Sequence, residues 1–333
     1  MTIDLTDTTT GAIDHALTEA RRRLGGMTLG MVLTLIIVTD EAAQYDAIRA
    51  ANQAAREHPC RILAIISRRP KADSRLDAEI RVGEASPGET IVLRMYGPLG
   101  QHADSVVAPL LVPDVPVVTW WPDEAPEIPG KHPLGALAQR RVTDSAAAES
   151  PRDALATLAS AYQPGDTDFG WTRATPWRSL IAATLDQPHP PITAGEIAAE
   201  ADNPTADLIA AWLSLRLGVP VSRVTSGGPG ITGAMFSTPD GDISITRFDG
   251  RTATLSWPER VDRMVALHRR DTAELLAEEL RRLDPDEVYG ETLARVDVPA
   301  PAGQPAAPAE GTAAGQPAAP AEGTAEETAG DAR

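Results

Sequence analysis

Cysteine is almost missing from this sequence. Its 333 residues hold one, Cys60, so no internal disulfide can form, which fits a reducing compartment. Aromatic residues are scarce, at 4%. The longest largely apolar run, Met31 to Val38, is far too short to span a bilayer. The first residues carry Asp4 and Asp7 and no basic stretch ahead of an apolar core, so no secretory signal is expected. The expectation is a soluble cytoplasmic protein with no membrane partner.

The usual signatures of chemistry are missing as well. No G-x-G-x-x-G leads from a strand-like run into a helix, and there is no G-x-x-x-x-G-K-[ST] or G-x-S-x-G. The histidines (His15, His58, His102, His132, His189 and His268) stand apart, with no i,i+4 partner and no C-x-x-C. Neither a metal site nor a cofactor is expected. Gly227–Gly228–Pro229–Gly230 leads into a strand-like segment, so it reads as a flexible loop and not as a phosphate loop at a helix start. Cys60 has His58 and Arg61 beside it, which would favour a thiolate. It also opens a buried strand, and a small buried side chain is the reading we adopt.

Basic charge is in deficit. The formal net charge is −17, with 30 Lys and Arg against 47 Asp and Glu. The stretch 297–333 contributes −5 of this, leaving −12 for the body. Such a body repels phosphate backbones, so nucleic acid is not an expected partner.

What is present is a normal apolar share, 42%, enough for a real core. Residues 12–24 have helical spacing and run into Gly25–Gly26. A buried strand (31–38), a helix (41–57) and a second buried strand (61–67) follow, a βαβ signal. Residues 75–83 alternate strictly and pair with 90–96 across a Pro87–Gly88 turn as an edge hairpin. A fold of mixed α/β class is expected over 1–163, a twisted sheet with helices on both faces. A smaller α+β domain is expected over 164–296. Its parts are helices from Thr175–Pro176 and from Pro204, a three-strand meander (231–257), and helices over 259–283 and 287–293. From 297 to 333 the chain is rich in Pro, Ala, Gly and Glu and repeats GQPAAPAEGTA with a period of 12, so it is expected to be disordered.

Six tryptophans among so few aromatics is a tilt toward the largest side chain. Trp120 and Trp121 end the segment Asp104 to Pro122, where an apolar strand is stopped by proline; paired indoles there imply packing or docking. Trp171, Arg173, Trp177 and Arg178 lie within eight positions. Trp and Arg are favoured in interface hot spots, and equally at internal junctions. Arg140 and Arg141 either extend the same surface or solvate a segment end. These eight residues are the partner-binding candidates. Residues 194–218 read as two helices ahead of a hairpin, like a winged helix-turn-helix, but with Asp207 and only Arg216 on the second helix they make a poor DNA reader.

Several segments taken in order resemble one family. They are Arg56 to Ile66, Leu76 to Gly83, Val92 to Leu99, Asp104 to Pro122, Leu137 to Ser145 and Trp171 to Arg178. They are similar to the actinobacterial glucose-6-phosphate dehydrogenase assembly proteins, the OpcA family, over roughly residues 1–293. The resemblance implies a partner protein, not an enzyme. It would bind glucose-6-phosphate dehydrogenase of the pentose phosphate pathway, favour the active oligomer and act as an allosteric activator. It supplies no catalytic residue. The alternative is a sugar-phosphate or nucleotide sensor or enzyme using a crevice at the strand ends of the first domain.

Overall fold

The structure is a computed structural model that describes residues 1–24, 30–83 and 88–296. The Gly25–Gly26 stop, the Pro87 side of the hairpin turn and the repetitive segment 297–333 lie outside the described residues.

The first half of the chain runs through β1 (Thr2–Leu5), α1 (Thr10–Arg23), β2 (Leu33–Thr39), α2 (Gln44–Ala54), β3 (Cys60–Arg68), β4 (Arg75–Val82), β5 (Glu89–Tyr96), α3 (Ala103–Val107), β6 (Val117–Trp120), α4 (Pro133–Ala136), β7 (Arg140–Thr143), α5 (Pro151–Ser160) and β8 (Asp166–Asp168). The eight strands form one sheet in the order β1-β4-β5-β3-β2-β6-β7-β8. Strands β5, β3, β2, β6, β7 and β8 are parallel neighbours, and β4 and β1 add an antiparallel edge.

The apolar run of β2 is explained by coverage on both sides. Leu33, Leu35 and Ile37 join α2 in one core, while Ile36 faces the core under α1 and α3. A strand buried on both faces needs no polar alternation. β4 shows the opposite case: Leu76, Ala78, Ile80 and Val82 are buried, and the residues between them are not.

The chain continues through α6 (Phe169–Leu185), β9 (Ala194–Ala199), α7 (Pro204–Leu217), β10 (Val221–Thr225), β11 (Ile231–Thr238), β12 (Gly241–Thr246), β13 (Thr252–Ser256), β14 (Arg263–Ala266), α8 (Thr272–Arg281) and α9 (Glu287–Leu293). The second sheet has the order β10-β9-β11-β12-β13-β14, with only β9 and β10 parallel. The described residues form one unit in space. Chain from beyond residue 163 completes the first sheet: β8 is its last strand, and Ala273, Leu275, Leu276 and Leu280 of α8 pack into the core shared by β2 and α2.

Three sequence expectations are corrected. Residues 194–199 are a strand, because β10 and β11 pair with β9 on both sides and outweigh the helix preference of its Ala and Glu; with that first helix gone, the helix-turn-helix reading falls. The helix beginning at Thr175–Pro176 begins instead at Phe169, with Pro176 inside it. The helix over 259–283 is a turn with Glu259 at φ 59°, then β14, then α8 started by an Asp271–Glu274 capping box.

Candidate functional site

Six of the eight residues singled out by sequence are interior. β6 delivers Trp120 into the core against Phe169, ring centroids 5.7 Å apart. Trp121 is also buried, edge-on to His132 at 5.5 Å. Trp171 and Trp177 face inward from α6; the Trp171 indole N–H donates to Asp286 at 2.8 Å.

Arg140 and Arg141, neighbours on β7, are both buried and fully engaged. Arg140 donates to Glu279 of α8, with Nε at 3.0 Å and Nη2 at 2.5 Å, and to the Asp284 carbonyl at 2.9 Å. Glu279 also accepts from the Thr172 hydroxyl of α6 at 2.5 Å. Arg141 is paired with Asp166 and donates to the carbonyls of Ala138 at 3.1 Å and Pro164 at 2.7 Å. In the described residues these side chains are a frame that joins the first sheet to α6 and α8, and they offer no open surface.

The last two candidates are partly accessible. Arg173 makes a two-pronged pair with Asp144, both contacts 2.6 Å. Burial works against its charge, but Asp144 outweighs that and holds the guanidinium above its ordinary value. Arg178 lies 3.5 Å over the Trp171 ring, and burial lowers its pKa to about 10.

Sequence reading missed Asp168. It caps α6 by accepting from the Gly170 N–H at 2.8 Å. It also accepts from the Thr143 hydroxyl at 2.8 Å and from the Ser145 N–H and hydroxyl at 2.7 Å each. Burial, and then the charge of Asp144, push its pKa up, against these hydrogen bonds. Every acceptor position faces a donor of the protein itself, so the carboxylate ties β7, β8 and α6 together. Cys60 is buried, and its thiol is pushed up to about 12 by desolvation, as its structural reading expected.

Open surface of docking character lies elsewhere. Large apolar side chains stand exposed at Phe248 (76%), Val261 (87%) and Met264 (74%), within one stretch of the second sheet. Met264 is on β14, the last strand of that sheet. The sequence reading did not expose this edge, since residues 259–283 read as helix and Val261, Met264 and Val265 show no strand alternation. Among the described residues there is no group of three or more His, Cys, Asp or Glu placed to hold a metal ion, and no helix is long and apolar enough to cross a membrane.

Two family models match the chain. One describes the N-terminal domain of a glucose-6-phosphate dehydrogenase subunit and covers residues 51–160; the other describes the C-terminal domain of that subunit and covers 164–293. No curated protein matches. Among solved structures, the chain is similar to KijD10, a 3-ketoreductase from Actinomadura kijaniata held with NADP and TDP-benzene, at 13% identity and a TM-score of 0.46, covering 79% of this chain and 94% of that one. A dehydrogenase (MviM) from Clostridium difficile aligns at 6% identity and a TM-score of 0.41, covering 79% of this chain and 96% of that one.

Proposed function

The chain belongs to the glucose-6-phosphate dehydrogenase subunit family, and on that premise we propose that it is a non-enzymatic assembly factor and activator of that dehydrogenase. The observation that carries the reading is the pair of family matches, which together span most of the sequence from residue 51 to residue 293. It acts in the cytoplasm, by protein–protein binding that favours the active oligomer. A partner that binds one assembly state better than another shifts the population by that difference in affinity, and this suffices for activation without chemistry on the substrate.

The exposed end of the second sheet is the docking face in this reading. Val261 and Met264 present apolar surface at a strand edge, where a partner gains both buried area and main-chain hydrogen bonds. The buried arginine and tryptophan frame holds the first sheet against α6 and α8. Arg173 and Arg178 remain candidates for contact at its margin.

The test is light scattering on mixtures of this chain with purified glucose-6-phosphate dehydrogenase. A defined complex is expected, and Met264→Asp should weaken it roughly tenfold or more while leaving the melting temperature of the free chain unchanged. Absence of a complex at stoichiometric amounts contradicts the reading. Equal affinity of the Met264→Asp chain contradicts the choice of face.

A further inference from the structure

Arg247 stands at the end of β12, is 4% exposed, and has no carboxylate partner among the described residues. Its Nη1 and Nη2 donate to the carbonyls of Leu267 and Ile231, both at 3.0 Å, while Nε has no partner. The guanidinium lies 5.0 Å from the Trp177 ring centroid. A buried cation left in this state is costly unless an anion completes it.

Its surroundings add positive charge. Burial first, and the charge of Arg269 second, pull the Arg247 pKa down, with Asp249 acting the other way. Arg269 is itself exposed and unpaired among the described residues. Gly230 turns with φ 67° at the end of the glycine-rich loop. A methyl group built on it would lie 3.8 Å from Arg269 Cζ, 3.8 Å from Asn203 Nδ2 and 3.9 Å from Arg247 Nη2. Donor groups from three separate places thus surround one bare point of backbone.

Asn203 is the N-cap of α7, a helix of 14 residues; its side-chain oxygen accepts from the Ala206 N–H, which leaves the amide NH₂ to face Gly230. The glycine loop precedes a strand in sequence, yet in space it meets a helix start, the combination that favours anions. The cavity in front of these groups measures about 80 Å³, with Arg173 and Arg270 on its wall. Those two arginines carry their own carboxylates, Asp144 and Glu278, so the charge left over belongs to Arg247 and Arg269.

We propose that this cavity binds the phosphoryl group of a small phosphate monoester, seated at Gly230 between Arg247, Arg269 and Asn203. Two uncompensated guanidinium groups match a dianion, and forked N–H donors match its oxygens. The volume holds several waters, room for a tetrahedral oxyanion, while the esterified part projects past the exposed Arg269. A single carboxylate would leave one of the two cations uncompensated.

Calorimetric titration of the full chain alone with inorganic phosphate, and then with glucose 6-phosphate, tests this. Both probes should bind saturably at one site and compete, and chloride at equal ionic strength should not replace them. Arg269→Gln, an exposed change that leaves the fold intact, should weaken both about tenfold or more. Arg260→Gln, on an exposed arginine outside the cavity, should change nothing. Binding of phosphate but not of the sugar phosphate would show an inorganic anion site and overturn the monoester assignment. No saturable binding, or equal affinity in Arg269→Gln, would overturn the site itself. The measurement uses no dehydrogenase, so its failure is separate from failure of the assembly reading.

Discussion

Arg140 and Glu279 show why charge could not be placed from sequence. Two adjacent arginines ahead of an aspartate look like a solvated segment end, but the partner of Arg140 sits 139 positions away on α8. Removing one member of a buried pair strands the other. Arg140→Met should therefore cost about 3–5 kcal/mol, and adding Glu279→Met should restore most of it, read as urea unfolding midpoints. A double variant as unstable as the single one would contradict this, although part of the deficit will persist through Thr172. The tryptophans were equally ambivalent, since burial and docking select the same side chain. Cys60, in contrast, was legible, because a small residue opening a strand whose middle, Ile62 to Ile66, is wholly apolar is buried whatever its neighbours. Burial raises its folded pKa to about 12, so the thiol stays protonated throughout the neutral range and only unfolding lowers the pKa. Iodoacetamide at pH 8 should leave the native chain unlabelled and label it at the rate of unfolding; fast stoichiometric labelling would contradict the buried thiol.

At the scale of elements, the segments that sequence placed well are those whose local pattern and tertiary setting agree. β2 and β3 are apolar on both faces because helices cover both, and β4 alternates because one side is less covered. Disagreement marks the failures. β9 is built from helix-favouring residues and is held as a strand by two neighbours. In α6, Pro176 looked like a helix start. It is tolerated inside because the Thr172 carbonyl, which a proline cannot serve, accepts from the Arg270 guanidinium instead. This gives a double-mutant cycle. Arg270→Gln should cost about 1–2 kcal/mol, and less in a Pro176→Ala background, where the alanine N–H reaches the same carbonyl. Additive costs in denaturant melts would contradict the exchange of donors.

For the whole molecule, the two sheets are joined by chain that crosses between them: β8 and α8 lie late in sequence and complete the first sheet and its core. Long-range closure of this kind leaves little trace in local periodicity, which is why the sheet around β2 was legible and its final strand was not. The anion cavity was hidden for the same reason, since Gly230, Arg247, Arg269 and Asn203 share no motif spacing. Family membership supplied what the fold could not, the identity of the partner. The central claim is that this chain works by binding the assembled dehydrogenase better than its unassembled form. Sedimentation of glucose-6-phosphate dehydrogenase over a range of concentrations, with and without a saturating amount of this chain, tests that claim most directly. The midpoint of oligomer formation should move to lower enzyme concentration; a midpoint that stays in place while the chain is bound would contradict the account.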